Sequence, residues 1–365
     1  MPDVVVIGAG VVGLTTAWEL AGRGISVRVL DQSVPGREAS WAGAGILPPG
    51  YPGNPAAPLP RLTALSNQHW PAVTAKLREE TGIDNGFRRC GGIELGEGTS
   101  ESLRQEMSGW IETGARVEPL RSAEITRLEP AMSAALPEGY RLPDLHQVRN
   151  PWHLRALLQA CAHRGVEVVG SERVVSWNRQ GDRVASVVSE RGVHAAGSFV
   201  LSAGAWSNDL AEPLGGRLEI VPIRGQIVLL DAPEIRLTHV IECGPRYVVP
   251  REDGHILIGS TEENAGFVKE NTPPAVEELL RFGAELVPAI RSARVEKTWA
   301  GLRPHARRGR PWIGPSKACE NVLLATGHFR AGLHLSPATA RLLAQHLCGE
   351  PTDLPLDLFG PDPGK

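Results

Sequence analysis

An α/β fold opening on a Rossmann-like βαβ unit is predicted by three features of this 365-residue chain. A short apolar run, Val4–Ile7, leads into Gly8-Ala9-Gly10-Val11-Val12-Gly13, a GxGxxG turn. Leu14, Ala17, Trp18 and Ala21 then recur at helical spacing, and a second apolar run, Val27–Leu30, ends on Asp31. Strand, glycine turn, helix, strand and terminal acid within about 30 residues form a dinucleotide-binding pattern, which a lone GxGxxG does not. The third feature is a density of strands over 218–260, which adds a second, mixed-sheet α+β region.

The first strand lacks polar alternation, as expected of a strand buried on both faces. Gly22 and Gly24 end the first helix. Residues 48–60 (PPGYPGNPAAPLP) are too rich in proline and glycine for an element and are expected as a loop, either a plain surface connection or a cover near a site. A helical stretch is expected over 61–82, interrupted at Pro71. Residues 86–145 look mixed, with a strand near Gly92–Leu95 and a helix near Ser100–Glu112. Asn150-Pro151 predicts a helix start, with Asn150 as the cap and Pro151 in the first turn. Leu154, Leu157, Leu158 and Cys161 supply its apolar stripe and Gly165 its stop. Strands are expected at 166–169 and 199–202 with a polar hairpin between them, then at 226–230, Arg246–Pro250 and 255–258. A helical period returns over 275–287, 322–325 is a buried strand, Ser336-Pro337 is expected to start the last helix, and the tail after Cys348 is irregular.

Composition narrows the function. Hydrophobic content of 42% with 22% charged residues excludes wholesale disorder. Lys+Arg 38 against Asp+Glu 41 gives a net charge of -3, so no global basic field exists for nucleic acid. No run approaches the ~20 apolar residues of a membrane span. Met1-Pro2-Asp3 runs straight into the first strand without a basic leader, and five scattered cysteines form no CxxC. A cytoplasmic protein is therefore expected, with no metal, membrane or nucleic-acid partner.

The three glycines of the fingerprint have separate tasks: Gly8 permits the tight turn, Gly10 lets backbone approach a pyrophosphate, and Gly13 lets the helix pack on the sheet. The helix N-terminus offers unpaired N–H groups to phosphates. Asp31 sits where a ribose hydroxyl contact is made. The small-residue run Arg37-Glu38-Ala39-Ser40-Trp41-Ala42-Gly43-Ala44-Gly45-Ile46-Leu47 lets backbone approach a large flat group. The fingerprint itself leaves FAD and NAD both open.

VVVIGAGVVGLTTAWELAGRG, EASWAGAGILPP, TWAGLRPHARRGRPWIG and LLATGHFRAGLHLSPATA together carry a family resemblance. The chain resembles the glycine oxidases of the thiamine-biosynthesis type, in the D-amino-acid-oxidase superfamily of FAD-dependent amine oxidases. The resemblance spans essentially the whole chain; GLRP followed by GHFRxGxxLxPAT is its specific part. It implies a discontinuous fold, with an FAD-binding domain from 1–85, 146–215 and 300–365 and a substrate-binding domain from 86–145 and 216–299. It implies FAD contacts from Gly8, Gly10, Val11, Val12 and Gly13, from Asp31 and Gln32, and from Ala39, Ser40, Ala44, Gly45 and Ile46. Val174 on the adenine side, Ala203 and Gly204 are also implied, as are His328, Phe329, Arg330, Ala331, Gly332, Leu333 and His334. Sarcosine-oxidase-like relatives carry a flavin-linking cysteine near GLRP; residues 298–305 hold none here, so FAD is expected to be non-covalent. Homo-oligomers, tetramers in particular, are implied as well.

Amine oxidation by a flavin asks the protein to bind, orient and desolvate an amine beside the cofactor. The resemblance puts Arg303, whose planar fork matches a carboxylate, at the substrate carboxyl, with Tyr247 closing over the substrate and Arg330 also meeting it. Trp299 is expected as packing, and Arg246 and Glu262 as solvated strand ends. The implied reaction is oxidation of glycine and other small amines or D-amino acids by oxygen, giving a 2-oxo acid, ammonia and hydrogen peroxide. The competing expectations are a sarcosine or D-amino-acid dehydrogenase feeding a quinone, a non-catalytic flavin-binding protein, and an NAD dehydrogenase.

Overall fold

The computed structural model describes residues 1–51, 53–96 and 100–360. Its first layer is a six-stranded sheet ordered Trp312–Pro315, Val322–Thr326, Ser198–Leu201, Val4–Ile7, Val27–Leu30 and Glu167–Val169. All neighbours are parallel except the Trp312–Pro315 edge. Val4 and Val6 face one side, packed with Leu14, Ala17, Leu157 and Leu342 from the helices Val11–Ala21, Asn150–His163 and Gly332–Leu347. Val5 and Ile7 face the other side, against Val174, Val184 and Val187 of a three-stranded antiparallel sheet. A continuous apolar strand is what burial on both faces requires.

An eight-stranded sheet forms the second layer, in the order Arg294–Ala306, Ile220–Asp231, His255–Gly259, Arg246–Pro250, Val240–Cys243, Gly92–Leu95, Gly139–Leu142 and Glu118–Leu120. Its neighbours are antiparallel except Val240–Cys243 with Gly92–Leu95. Ile93, Ile241, Val248 and Ile258 pack outward beneath Leu279 and Phe282 of the helix Pro273–Leu286. The alternate residues Tyr247, Val249, Ile227 and Leu257 face inward with Met107 and Trp110 of the helix Ser100–Glu112.

Several sequence expectations need correction. Within 48–60, Pro52 lies outside the described residues, and the following helix already starts at Pro58. That helix, Pro58–Thr81, passes through Pro71 without a break: Leu62, Ser66, Trp70 and Leu77 are buried along one face while Pro71 stays exposed. Burial on both sides of the proline offsets the lost hydrogen bond. The hairpin between 169 and 198 has three strands, Val174–Gln180, Arg183–Ser189 and Val193–Ala195.

Asn150 is not a cap. Arg149 holds that position, and the Asn150 amide instead donates to the Ser40 carbonyl at 2.7 Å. The last helix starts at Gly332, ahead of Ser336-Pro337. Pro337 has no N–H for the Leu333 carbonyl, and the Ser336 hydroxyl donates to that carbonyl at 2.9 Å in its place. The longest strand, Arg294–Ala306, was unexpected as an element; it pairs with Ile220–Asp231 from Ile220↔Ala306 to Asp231↔Arg294.

Candidate active site

A cavity of about 740 Å³ lies between the two sheets. Its floor is the carboxyl edge of the parallel strands, where open α/β sheets hold ligands. Gly8, Gly10, Val11 and Val12 line it, as do Asp31 and Gln32, the small-residue run at Ala39, Ser40, Ala44, Gly45 and Ile46, and Val174. Ala203, Gly204 and the whole stretch from His328 to His334 line it too, and Tyr247, Arg303 and Arg330 lie on its wall. Gly13 alone among the sequence-derived residues does not line it: a Cβ there would sit 2.0 Å from the Gly8 carbonyl oxygen, so its task is helix-to-turn packing.

The fingerprint turn is held by side chains. Asp31 accepts from the Ala9 N–H at 2.7 Å and from the Ser33 N–H at 2.8 Å, so the carboxylate that ends the second strand also fixes the glycine turn. Burial pushes the Asp31 carboxyl above its usual range, and those backbone donors pull it back. The Ser40 hydroxyl accepts from the Val11 N–H at 2.9 Å at the start of the helix. Gly8 has φ 108, and a Cβ there would lie 2.3 Å from the Ser202 carbonyl oxygen, so only glycine fits. Arg251, buried, donates to the Ala44 backbone carbonyl and to the Gln147 Oε1 at 2.6 Å each and holds the small-residue loop to the strand beyond it. The Asn150 Oδ1 is a buried acceptor without a partner on the cavity wall.

These features fit a dinucleotide: backbone brought close by glycine, a helix N-terminus on the wall, and an unpaired buried acceptor on a wall residue. His328 and His334 are both driven down to about 3 by burial and are neutral. Neutral His334 donates from Nε2 to the Asn67 Oδ1 at 2.6 Å, and His328 meets the Thr339 hydroxyl at 3.0 Å. Neither adds charge to the cofactor wall.

Opposite that wall the sheet makes a shelf. Arg303 lies over Gly225, where a Cβ would come within 2.1 Å of its guanidinium, and donates to the Ser260 hydroxyl at 2.5 Å and the Thr261 carbonyl at 3.0 Å. Tyr247 lies over Gly259, where a Cβ would come within 2.7 Å of its ring. Two glycines thus let the arginine and the phenol lie flat and adjacent. Burial lowers the Arg303 pKa from its ordinary value, and Tyr247 and Glu262 raise it. Arg330 pairs with Glu262 at 3.1 Å and donates to the Pro245 carbonyl. Glu262, exposed just beyond the strand His255–Gly259, is the ion-pair partner of a cavity arginine. Arg246, expected as a solvated strand end, is half-buried: it pairs with Glu278 at 3.5 Å and stacks on Phe282. Trp299 packs against Trp41 and donates to the Ala42 carbonyl at 3.0 Å.

Glu94, Glu242, Glu106 and Trp110 also line the cavity and were not anticipated. Burial pushes Glu242 up to about 7, with Arg330 pulling it down and Glu106 pushing it up. Burial, and next the Glu242 charge, hold Glu94 well above the carboxylate range. A carboxyl raised in the folded state stabilises the fold when protonated. That contribution is complete below the unfolded value of about 4.3 and is lost as pH rises through the folded value. Glu242→Gln should therefore gain Tm relative to the parent protein between about pH 5 and 8. Parallel Tm profiles of the two proteins would show that this carboxyl is not desolvated.

Three comparisons bear on identity. Residues 3–346 match the DAO family, described as FAD dependent oxidoreductase. The chain is 39% identical to a glycine oxidase of Pseudomonas aeruginosa, over 95% of this chain and 94% of that one. It is 32% identical to the bifunctional protein ThiO/ThiG of Trichormus variabilis, over 98% of this chain and 54% of that longer one. Its fold superposes on the crystal structure of glycine oxidase from Geobacillus kaustophilus with a TM-score of 0.94, at 30% identity and 98% coverage of each chain. Among the described residues no helix is long and apolar enough to cross a membrane.

Proposed function

Because this chain belongs to the DAO family of FAD-dependent oxidoreductases, we propose that it is an amino-acid oxidase whose substrate is glycine, with sarcosine and small D-amino acids as further substrates. The observation that carries this reading is the shelf: Arg303 and Tyr247 lying over Gly225 and Gly259, across the cavity from the glycine fingerprint. The relatives named glycine oxidase and ThiO/ThiG support the same substrate and a place in thiamine biosynthesis.

The overall reaction is glycine, oxygen and water to glyoxylate, ammonia and hydrogen peroxide. Bound FAD, held non-covalently, would supply the acceptor for the hydride of the substrate α-carbon. The fingerprint turn, the Ala39–Ala42 helix with the strand that follows it and the 328–334 segment would hold that cofactor, with the neutral histidines keeping its wall uncharged. Arg303 receives the substrate carboxylate through two parallel N–H donors, a geometry that fixes direction as well as affinity. Tyr247 donates its hydroxyl to the same carboxylate. With the carboxylate fixed on one side and the flavin on the other, one hydrogen of the α-carbon points at the acceptor, and where the amine and side chain then sit decides between D- and L-isomers. Burial of the shelf excludes water and strengthens these contacts.

The test is a peroxide assay under air across glycine, sarcosine and the D- and L-amino acids, with anaerobic bleaching of the flavin measured alongside. Glycine and sarcosine should bleach the flavin and yield peroxide. Bleaching without peroxide would assign the electrons to another acceptor, and a preference for an L-amino acid would overturn the substrate reading.

A further inference from the structure

Building on the amine-oxidase reading above, we propose that the cavity carries a second subsite, formed by Glu94 and Glu242, that takes an organic cation: an ammonium or guanidinium group borne by the substrate beyond its α-carbon.

Strand register brings the two acids together. Glu94 is the partner of Glu242 across the parallel pair, and Glu242 is the partner of Tyr247 across the next hairpin. Partners in register point to the same face, on strands about 4.8 Å apart, so Tyr247, Glu242 and Glu94 form one row leading away from the carboxylate clamp. Their chain neighbours Ile93, Leu95 and Ile241 are buried in the outer core, on the opposite face of the sheet. Both acids line the cavity.

The row is short of positive charge. Glu94 is only 7% exposed, and among the described residues neither carboxylate has a hydrogen-bond or ion-pair partner. Arg330 is the cation near both, and its guanidinium is already engaged by Glu262 at 3.1 Å. Glu94, buried, and the half-buried Glu242 lie side by side without a counter-ion, which is costly; burial raises both toward their protonated forms, with the Glu242 charge adding to the shift at Glu94 and the Glu106 charge adding to it at Glu242. A bound cation would remove that cost. Farther out, Glu106 adds a third carboxylate, and the Trp110 indole, whose Nε1 is buried without a partner, offers an aromatic surface of the kind that holds organic cations. Among the described residues no group of three His, Cys, Asp or Glu side chains could hold a metal ion; two carboxylates in one row beside an indole suit an organic cation. Glycine leaves this row uncompensated; a cationic D-amino acid would span from Arg303 to Glu94 and Glu242.

The holoenzyme supplies the test. D-ornithine and D-norleucine have side chains of equal length that differ in the terminal ammonium, and 1,4-diaminobutane and 1-aminopentane differ likewise without a carboxylate. The kcat/KM ratio of D-ornithine to D-norleucine should be at least about tenfold, and the diamine should perturb the flavin spectrum with a Kd at least about tenfold tighter than the monoamine. In Glu94→Gln/Glu242→Gln, with its Tm recorded to confirm folding, both preferences should collapse toward one. Equal handling of each pair by the parent enzyme overturns the proposal whatever the variant does. So does a variant that keeps the preference, or one whose sole defect is a raised KM for glycine, which would assign the pair to the α-ammonium. If glycine fails to bleach the flavin while the diamine still outbinds the monoamine, the oxidase reading falls and the cation subsite stands.

Discussion

Gly10→Val is expected to give a folded protein that carries no FAD. Gly10 caps the first helix with φ -74, a conformation open to any residue, so the substitution adds no backbone strain. What changes is the space in front of the helix. A Cβ would sit 3.2 Å from the Ser40 hydroxyl, and the valine methyl groups would fill the close approach that a pyrophosphate requires. The ratio of flavin to protein absorbance in the purified variant, together with its Tm, checks this. Gly8→Val serves as the contrasting control: at φ 108, with a Cβ position 2.3 Å from the Ser202 carbonyl oxygen, it should disrupt folding itself. A Gly10→Val protein with normal flavin content would place the phosphates elsewhere.

Arg303→Ala should lower kcat/KM for glycine by about tenfold to a hundredfold, since a charged hydrogen bond is worth about 1.5–3 kcal/mol and a tenfold change takes about 1.4. Loss of orientation at the α-carbon would add to that. Arg303→Lys should recover part of the loss, because a point charge lacks the fork. Flavin content should stay near normal, because Arg303 is tied to Ser260 and Thr261 on the sheet and not to the fingerprint turn. Ethylamine, which has no carboxylate, is the control: its poor turnover should barely change. Wild-type glycine kinetics in Arg303→Ala would move the clamp to Arg330, and loss of flavin would mean that the shelf also serves the cofactor.

The parts of the molecule legible in the sequence were those specified locally. Val4–Ile7, the glycine turn and Val27–Leu30 announce themselves because apolar run, punctuation and periodicity lie within one short window. The strand Arg294–Ala306 did not, because Gly301, Pro304 and a run of charges look like a loop. It is a strand because it lies at the sheet edge, where Pro304 faces Pro222 and a missing N–H costs little, and because its partner begins some seventy residues earlier. Glu94 and Glu242 each look like a single acid in an apolar strand; only the pairing of distant segments makes them neighbours. Arg303, Tyr247 and Arg330 were reached through the family motif, whereas the glycines beneath two of them and the Glu262 partner of the third are products of the tertiary fold.

The ladder between Arg294–Ala306 and Ile220–Asp231 also bears on how the molecule can move. Arg303 sits within it, and the same strand reaches His305, bridged to His328 on the cofactor wall. A hinge that rotated one sheet away from the other would leave that ladder intact but would have to break the His305–His328 bridge, which ties the clamp strand to the cofactor wall. The clamp strand and the cofactor wall are thus tied to each other, and Tyr51, on the segment before the Pro58–Thr81 helix, and Glu106 are cavity-lining residues that are also exposed, where substrate is expected to enter. Such an architecture trades domain closure for a gate of a few side chains, so turnover should respond to changes at that rim more than to solvent viscosity acting on whole-domain motion.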